Sequence, residues 1–276
     1  MKLHADTKLF SDILRAASQQ LQIKLEFVEK DYWITVLLSR LSRSRYISDA
    51  VFKGGTSLSK SYNLIDRFST DVDIAIINDN DNTGNKLKTI IRTLEKELTT
   101  EVSEIQMDGV TSKGSKFRKA VFEYPSIEIG NVNNNLILEI NTFANTYPFK
   151  LLSIKSFVHD FLIQSGNEDY INQYGLQAFD VNVLSKEQTL MEKMVSLIRT
   201  SFDENPIESM SGKIRHFYDL YYLMKDNECA EFVASNSFQV NFKNILQHDR
   251  EMFDEPLGWQ NKSISASPLI SDFTSV

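Results

Sequence analysis

Apolar residues recur at helical spacing from the start of the chain. Leu9, Phe10, Ile13, Leu14 and Ala17 predict an amphipathic helix over residues 7–21. Val28, Tyr32, Ile34, Val36, Leu37 and Leu41 predict a second over 27–43. The pattern breaks at Gly54-Gly55, and a helical turn or two follows within 57–65. Residues 71–77 read as a short strand. An Asn/Asp loop at 78–85 leads into a helix near 84–100 that carries Leu87, Ile90, Ile91, Leu94 and Leu98. The middle reads as β-structure: strands at 116–124 and 127–129 about a turn at Pro125-Ser126, a turn over 131–135, and a clean strand at 136–141. Residues 152–183 read as short strand-like runs around a loop at Gly166. From Lys186 the period is helical, over 186–202, 208–225 and 228–250, and the Ser-rich tail after Pro256 reads as loose. The pattern predicts an α/β (α+β) chain in two domains: an α/β half at 1–183 and a helical half at 184–276.

Composition narrows the function classes. With 276 residues the chain is long enough to bury a core without disulfide or metal staples. Hydrophobic residues at 42% and charged residues at 24% match a soluble globular protein. The net charge of −7 argues against coating nucleic acid through bulk charge, but leaves a local basic cleft open. Cys229 is the only cysteine, which excludes an intrachain disulfide and a cysteine-based zinc site. No apolar run approaches the ~18 residues of a membrane span, and the N-terminus lacks the unbroken apolar core of a signal peptide. A cytoplasmic protein with no membrane partner is expected.

Candidate chemistry centres on Phe52-Lys53-Gly54-Gly55-Thr56-Ser57-Leu58 and the following Arg67-Phe68-Ser69-Thr70-Asp71-Val72-Asp73-Ile74. In a strand Asp71 and Asp73 share one face, opposite Val72, Ile74 and Ile76. Two like charges side by side need a cation, and hard oxygen donors suit Mg²⁺ or Mn²⁺. A strand with a solvated acidic face is the other reading, although Asp is depleted in strands. Gly54-Gly55 permits close approach of a ligand. Thr56 or Ser57 can cap a short helix whose free N–H groups would cradle an anion; an ordinary glycine turn with a capped helix is the alternative. The spacing matches neither a Walker loop nor a dinucleotide fingerprint. In 136–141, Leu136, Leu138 and Ile140 share one face and Ile137, Glu139 and Asn141 the other. Glu139 is then either a third metal carboxylate or an edge-strand glutamate facing water.

Several other patterns do not hold up. The stretch from Asp79 begins like an EF-hand loop, but its twelfth position is Ile90, not a bidentate Glu. His159-Asp160 and His248-Asp249 read as surface pairs, in a chain with four histidines. No Gly-x-Ser-x-Gly elbow is present. Lys113, Lys116, Arg118 and Lys119 beside Phe117 form either a phosphate-tracking hairpin or a plain solvated strand.

Lys53-Gly54-Gly55-Thr56-Ser57-Leu58-Ser59-Lys60, followed by Arg67-Phe68-Ser69-Thr70-Asp71-Val72-Asp73, resembles the AbiEii/AbiGii family of toxin-type nucleotidyltransferases, within the DNA polymerase β-like superfamily. Val28-Glu29-Lys30-Asp31-Tyr32-Trp33 resembles the helix before that motif, and the likeness covers about residues 25–225. Glu192-Lys193-Met194 resembles the family's lysine motif. On that helix Leu190, Met194, Leu197 and Ile198 form the core stripe with Lys193 at its border, and by themselves these residues favour a lysine with its head in water. Lys213-Ile214-Arg215-His216-Phe217-Tyr218-Asp219-Leu220-Tyr221 is similar to the family's Arg-x-x-x-Asp-Leu-Tyr helix. Arg215 and Asp219, four apart, share a face, in the weaker order for a simple helix ion pair.

The resemblance implies a nucleotidyltransferase-fold mixed sheet with flanking helices, followed by a helical domain closing the nucleotide cleft. It implies transfer of NMP from an NTP to an acceptor, a tRNA end, with pyrophosphate release. Growth inhibition and a cognate antitoxin partner come with it. Asp71, Asp73 and Glu139 would hold two Mg²⁺ (or Mn²⁺) ions, and Asp71, Asp73, Lys193 and Asp219 would be the catalytic set. Lys53, Gly54, Gly55, Thr56, Ser57, Arg67, Lys193 and Arg215 would bind the nucleotide. The alternatives are transfer to a protein or a small molecule, and a silent nucleotide- or RNA-binding module. The intact carboxylate set argues against silence.

Overall fold

The computed structural model describes residues 1–78, 84–128 and 134–271. The EF-hand-like stretch at 79–83 and the Ile129 and 131–133 parts of the predicted strand and turn lie outside the described residues. The chain forms two compact units, Met1–Leu184 and Ser185–Val276.

In chain order the first unit contains α1 (Thr7–Leu21), α2 (Leu25–Leu41), β1 (Ala50–Lys53), α3 (Gly54–Lys60), β2 (Asp71–Ile76) and α4 (Gly84–Leu98). It continues with β3 (Ser103–Ile105), β4 (Ser112–Lys113), β5 (Phe117–Glu123), β6 (Asn135–Asn141), β7 (Phe149–Ile154), α5 (Phe157–Gln164), α6 (Glu168–Tyr174) and β8 (Phe179–Leu184). The strands make one mixed sheet in the order β3-β5-β6-β2-β1-β8-β7, with β4 paired to β5. The β2–β6 and β1–β8 pairs are parallel and the other pairs antiparallel.

Alternation along the strands creates the two faces. Phe52, Val72, Ile74, Leu136, Leu138, Ile140, Ala120 and Phe122 join one core with the apolar stripes of α1, α2, α4 and α5. Helices therefore blanket that face, and β-branched and aliphatic side chains there are removed from water. The opposite face carries a small apolar group, Val51, Ile77 and Leu184. It also carries Lys53 of β1, Asp71 and Asp73 of β2, Lys119 of β5 and Glu139 of β6. α2 is buried along most of its length, Glu29, Lys30 and Asp31 included.

Two helices stand where 152–183 reads as strand-like. The Ser156 hydroxyl caps α5 by accepting the His159 N–H at 3.1 Å, and Val158, Phe161 and Leu162 turn inward. Short apolar runs carry too little periodicity to separate strand from helix. Ile127 and Glu128 are not in a strand: the Ile127 N–H donates to the buried Glu29 carboxylate at 2.7 Å in place of a ladder partner.

The second unit holds α7 (Lys186–Thr200), α8 (Pro206–Ser211), α9 (Ile214–Lys225), α10 (Asn227–Ala234), α11 (Asn236–Met252) and α12 (Pro268–Ser271). The predicted helices 208–225 and 228–250 are each divided in two, at Gly212-Lys213 and at Ser235. The segment after Pro256 is anchored instead of loose, because Trp259 is fully buried and its indole N–H donates to the Phe253 carbonyl at 2.8 Å. Among the described residues no helix is long and apolar enough to cross a membrane.

Candidate active site

On β2, Val72, Ile74 and Ile76 are fully buried while Asp71 and Asp73 are half-buried on the other face. β6 runs parallel beside it with Glu139 as the register partner of Asp73. All three carboxylates therefore project from the open face of two adjacent strands. Register extends the row: Lys53 on β1 is opposite Asp73, and Lys119 on β5 is opposite Glu139. A line Lys119–Glu139–Asp73–Lys53 thus crosses four strands, with neighbours about 4.8 Å apart in backbone.

The side chains refine this picture. Glu139 Oε2 lies 3.5 Å from Lys119 Nζ, and Asp71 Oδ1 accepts the Thr70 hydroxyl at 3.0 Å. Among the described residues no three His, Cys, Asp or Glu side chains close into a cage for an ion. Asp71, Asp73 and Glu139 share a face, and on it Glu139 pairs with Lys119. In donor type and backbone placement the three still fit a hard divalent cation, which needs carboxylate oxygens on neighbouring strands.

The glycine turn follows β1 directly. Gly54 has φ +81°, and a Cβ built on it would overlap Asp73 Oδ2. A Cβ on Gly55 would overlap the Arg67 guanidinium and sit 3.2 Å from Ser69 Oγ. Gly54 is held to glycine by its positive φ and by the Asp73 carboxylate against it, whereas at Gly55 the neighbour is the flexible end of Arg67. Lys53 is the N-cap of α3, so Thr56 and Ser57 lie inside the first turn instead of capping it. Their buried hydroxyls are engaged locally: Thr56 Oγ1 donates to the Asp71 carbonyl and accepts from the Ser69 hydroxyl (2.9 Å), and Ser57 Oγ donates to the Gly54 carbonyl (2.8 Å). What this turn offers an anion is its backbone N–H groups.

The helix before the motif is tied to the site residue by residue. Asp31 pairs with Lys60 of α3 at 2.5 Å, both side chains buried, and accepts the Phe157 N–H at 2.8 Å. Lys30 is buried and held below the usual ammonium range by desolvation, against the opposing pull of Glu26 and Asp71. Burial pushes the Glu29 carboxyl up, partly offset by hydrogen bonds from Ile127 and Ser126. A cavity of about 740 Å³ adjoins the turn, lined by Lys60, Arg67 and Ser69 among others. The rings of Phe27 and Phe68, which also line it, stack at 4.4 Å. The spacing-based reading did not single out Lys30 or the Phe27–Phe68 stack. Lys119 reads in the sequence as one of a run of cations. Their roles follow from register and helix docking, which spacing along the chain does not encode.

In the second unit Lys193 Nζ lies 2.9 Å from Asp219 Oδ2, with Asp219 fully buried and Lys193 nearly so. Lys193 is deeper than Met194, which is half-buried, so the core stripe of α7 runs through Leu190, Met191, Val195, Leu197 and Ile198. The lysine is drawn inward by its carboxylate partner, against the expectation of a solvated head. Arg215 is exposed. Lys213 donates to Ser196 Oγ at 3.0 Å and is held low by burial, with repulsion from Arg199 and Lys193 adding to it.

The basic hairpin is largely neutralised from within: Lys113 pairs with Glu104 (2.5 Å), Arg118 with Glu95 (2.6 Å) and Lys119 with Glu139. Asp160 pairs with Lys155 and Asp249 with Arg199, both at 2.7 Å, as suits structural ion pairs.

Three solved structures are similar. One is MenT4, a nucleotidyltransferase toxin of Mycobacterium tuberculosis, at 19% identity and TM-score 0.43, covering 67% of this chain and 59% of that one. A second is JHP933 from Helicobacter pylori, at 13% identity and TM-score 0.45, covering 90% and 89%. A third is an antigenic nucleotidyltransferase-like protein from Paracoccidioides brasiliensis, at 16% identity and TM-score 0.39, covering 87% and 96%. This chain thus spans 59% of the length of MenT4. Among curated proteins none matches. The family model described as nucleotidyl transferase AbiEii toxin, type IV TA system, matches residues 36–272. That stretch takes in the glycine turn, all three sheet carboxylates and the Lys193–Asp219 pair, and the chain belongs to the AbiEii nucleotidyltransferase toxin family.

Proposed function

We propose that the chain transfers a nucleoside monophosphate from an NTP to an RNA acceptor, tRNA, and releases pyrophosphate, acting as a toxin countered by a partner antitoxin. The observation that carries this reading is the register of Asp73 with Glu139 beside Asp71, one residue-pair away from a turn whose Gly54 has a positive φ and packs against Asp73. A divalent ion held by Asp71, Asp73 and Glu139 would supply positive charge for the acceptor hydroxyl and the leaving pyrophosphate. Mg²⁺ or Mn²⁺ suits this donor set.

The chain's own groups do the rest. Backbone N–H groups at Gly54 and Gly55 orient the triphosphate. Lys53, on the strand next to Asp73, and Arg67, against Gly55, place positive charge beside it. Thr56 and Ser57 keep the turn in shape through their hydroxyls. Lys193 serves to neutralise charge on the nucleotide, and Asp219 acts as the positioning residue that fixes its ammonium. Arg215, being exposed, is assigned a phosphate contact and not the orientation of Asp219.

The test is incubation with Mg²⁺, each α-labelled NTP in turn, and total RNA. Label is expected in tRNA and absent with Asp73→Asn, whose circular dichroism and melting curve should match the parent. Label in protein instead of RNA, or equal labelling by Asp73→Asn, would overturn the reading.

A further inference from the structure

The C-terminal end of α2 borders a second cavity of about 790 Å³ in which cations outnumber carboxylates. Lys2, Arg40, Arg43 and Arg45 line it, against Glu97 and Glu101. Both carboxylates are already engaged. Glu97 accepts the Ser44 hydroxyl at 2.7 Å, and Glu101 takes the Arg40 guanidinium and lies 3.3 Å from His4 Nε2. Arg40 is structural, since it also donates to the Leu98 carbonyl at 2.7 Å. Lys2, Arg43 and Arg45 form no ion pair among the described residues. Arg43 is nevertheless oriented, through Nε to the Ser39 carbonyl (2.9 Å) and Nη2 to Ser39 Oγ (2.8 Å). In a chain of net charge −7, four cations against two carboxylates leave a local positive excess at this cavity, and an anionic ligand suits it.

That ligand is not the reacting triphosphate. Lys30 feels the charge of Asp71, and Arg40 lies ten residues further along α2, about 15 Å at 1.5 Å per residue. A long polyanion can reach from one place to the other. The lining also separates nucleic acid from protein. A protein partner needs desolvated aromatic or aliphatic anchors. Here the apolar lining is Val36 and Met1, both buried, with no aromatic side chain. Guanidinium forks match phosphate oxygens, and backbone binding needs little else.

We propose that this cavity grips the phosphodiester backbone of the RNA acceptor, away from the reacting end. The inference rests on the RNA-acceptor reading above. The test measures binding of bulk tRNA by the full chain between 50 and 200 mM salt, for the parent, Arg43→Ala/Arg45→Ala and Arg43→Lys/Arg45→Lys. With two phosphate contacts removed, the alanine variant should lose at least tenfold in affinity at low salt. Its log–log salt slope should fall by roughly 1.4–1.8. The lysine variant should keep the slope, and NTP affinity should be the same in all three. An unchanged slope in the alanine variant overturns the inference. So does loss of poly-glutamate binding with tRNA binding intact, which would assign the cavity to an acidic protein. The labelling assay decides the acceptor reading separately: tRNA labelling by the parent with an unchanged slope retains that reading and removes only the cavity.

Discussion

Glu139 stands beside Asp73 across the parallel β2–β6 pair, yet its carboxylate turns to Lys119 on the far side, 3.5 Å away. The lysine and a metal ion would compete for the same oxygen. Lys119→Ala should therefore tighten Mn²⁺ binding several-fold, and Glu139→Gln should weaken it at least tenfold, both read as free Mn²⁺ by electron paramagnetic resonance. Weaker binding in the lysine variant would show that Lys119 supports the site instead of shielding it.

Gly54 carries two constraints at once, a positive φ and the Asp73 carboxylate packed against it. Gly54→Ala should cost about 1–2 kcal/mol in backbone strain and displace Asp73, abolishing labelling. Gly84, which starts α4 with open space around it, is the control. Gly84→Ala should be neutral or slightly stabilising in urea unfolding.

The Lys193–Asp219 pair is buried, so removing one partner takes a close opposite charge away from the other in a low-dielectric setting. Asp219→Ala and Lys193→Met should each cost about 3–5 kcal/mol, and the double variant Lys193→Met/Asp219→Leu should recover most of that loss. A recovered fold without labelling would separate the chemical role of Lys193 from its structural one. Full labelling by the double variant would remove both residues from the reaction.

Burial raises the Glu29 carboxyl above its ordinary 4.5. The folded state then holds that proton more firmly than the unfolded chain. Its contribution to stability is complete below about pH 4.5 and is lost as pH rises through the folded value. Glu29→Gln keeps an acceptor for the Ile127 N–H without the charge. The melting temperature of the variant minus that of the parent should grow more positive from pH 4.5 upward. A difference that is flat with pH would show that Glu29 carries no such penalty.

Much of this protein is legible in one dimension because its chemistry rides on a period of two. Asp71 and Asp73 share a face with Val72 and Ile74 opposite, and Glu139 does the same between Leu138 and Ile140, as any half-buried strand requires. The glycine turn is equally local, since positive φ and close approach leave a residue-level mark. The short helices at 157–164 and 168–174 leave no such mark, and their assignment waits on what packs against them.

Pairing across the chain was decided only in three dimensions. Register set Glu139 beside Asp73 and then put Lys119 on its other side. Helix docking buried Lys193 against Asp219 and gathered Arg43 and Arg45 around a cavity with Lys2. The alternation of side chains is a property of each strand's own backbone. Which charge meets which depends on strand order and helix placement, set by the summed burial of a core that no single segment contains.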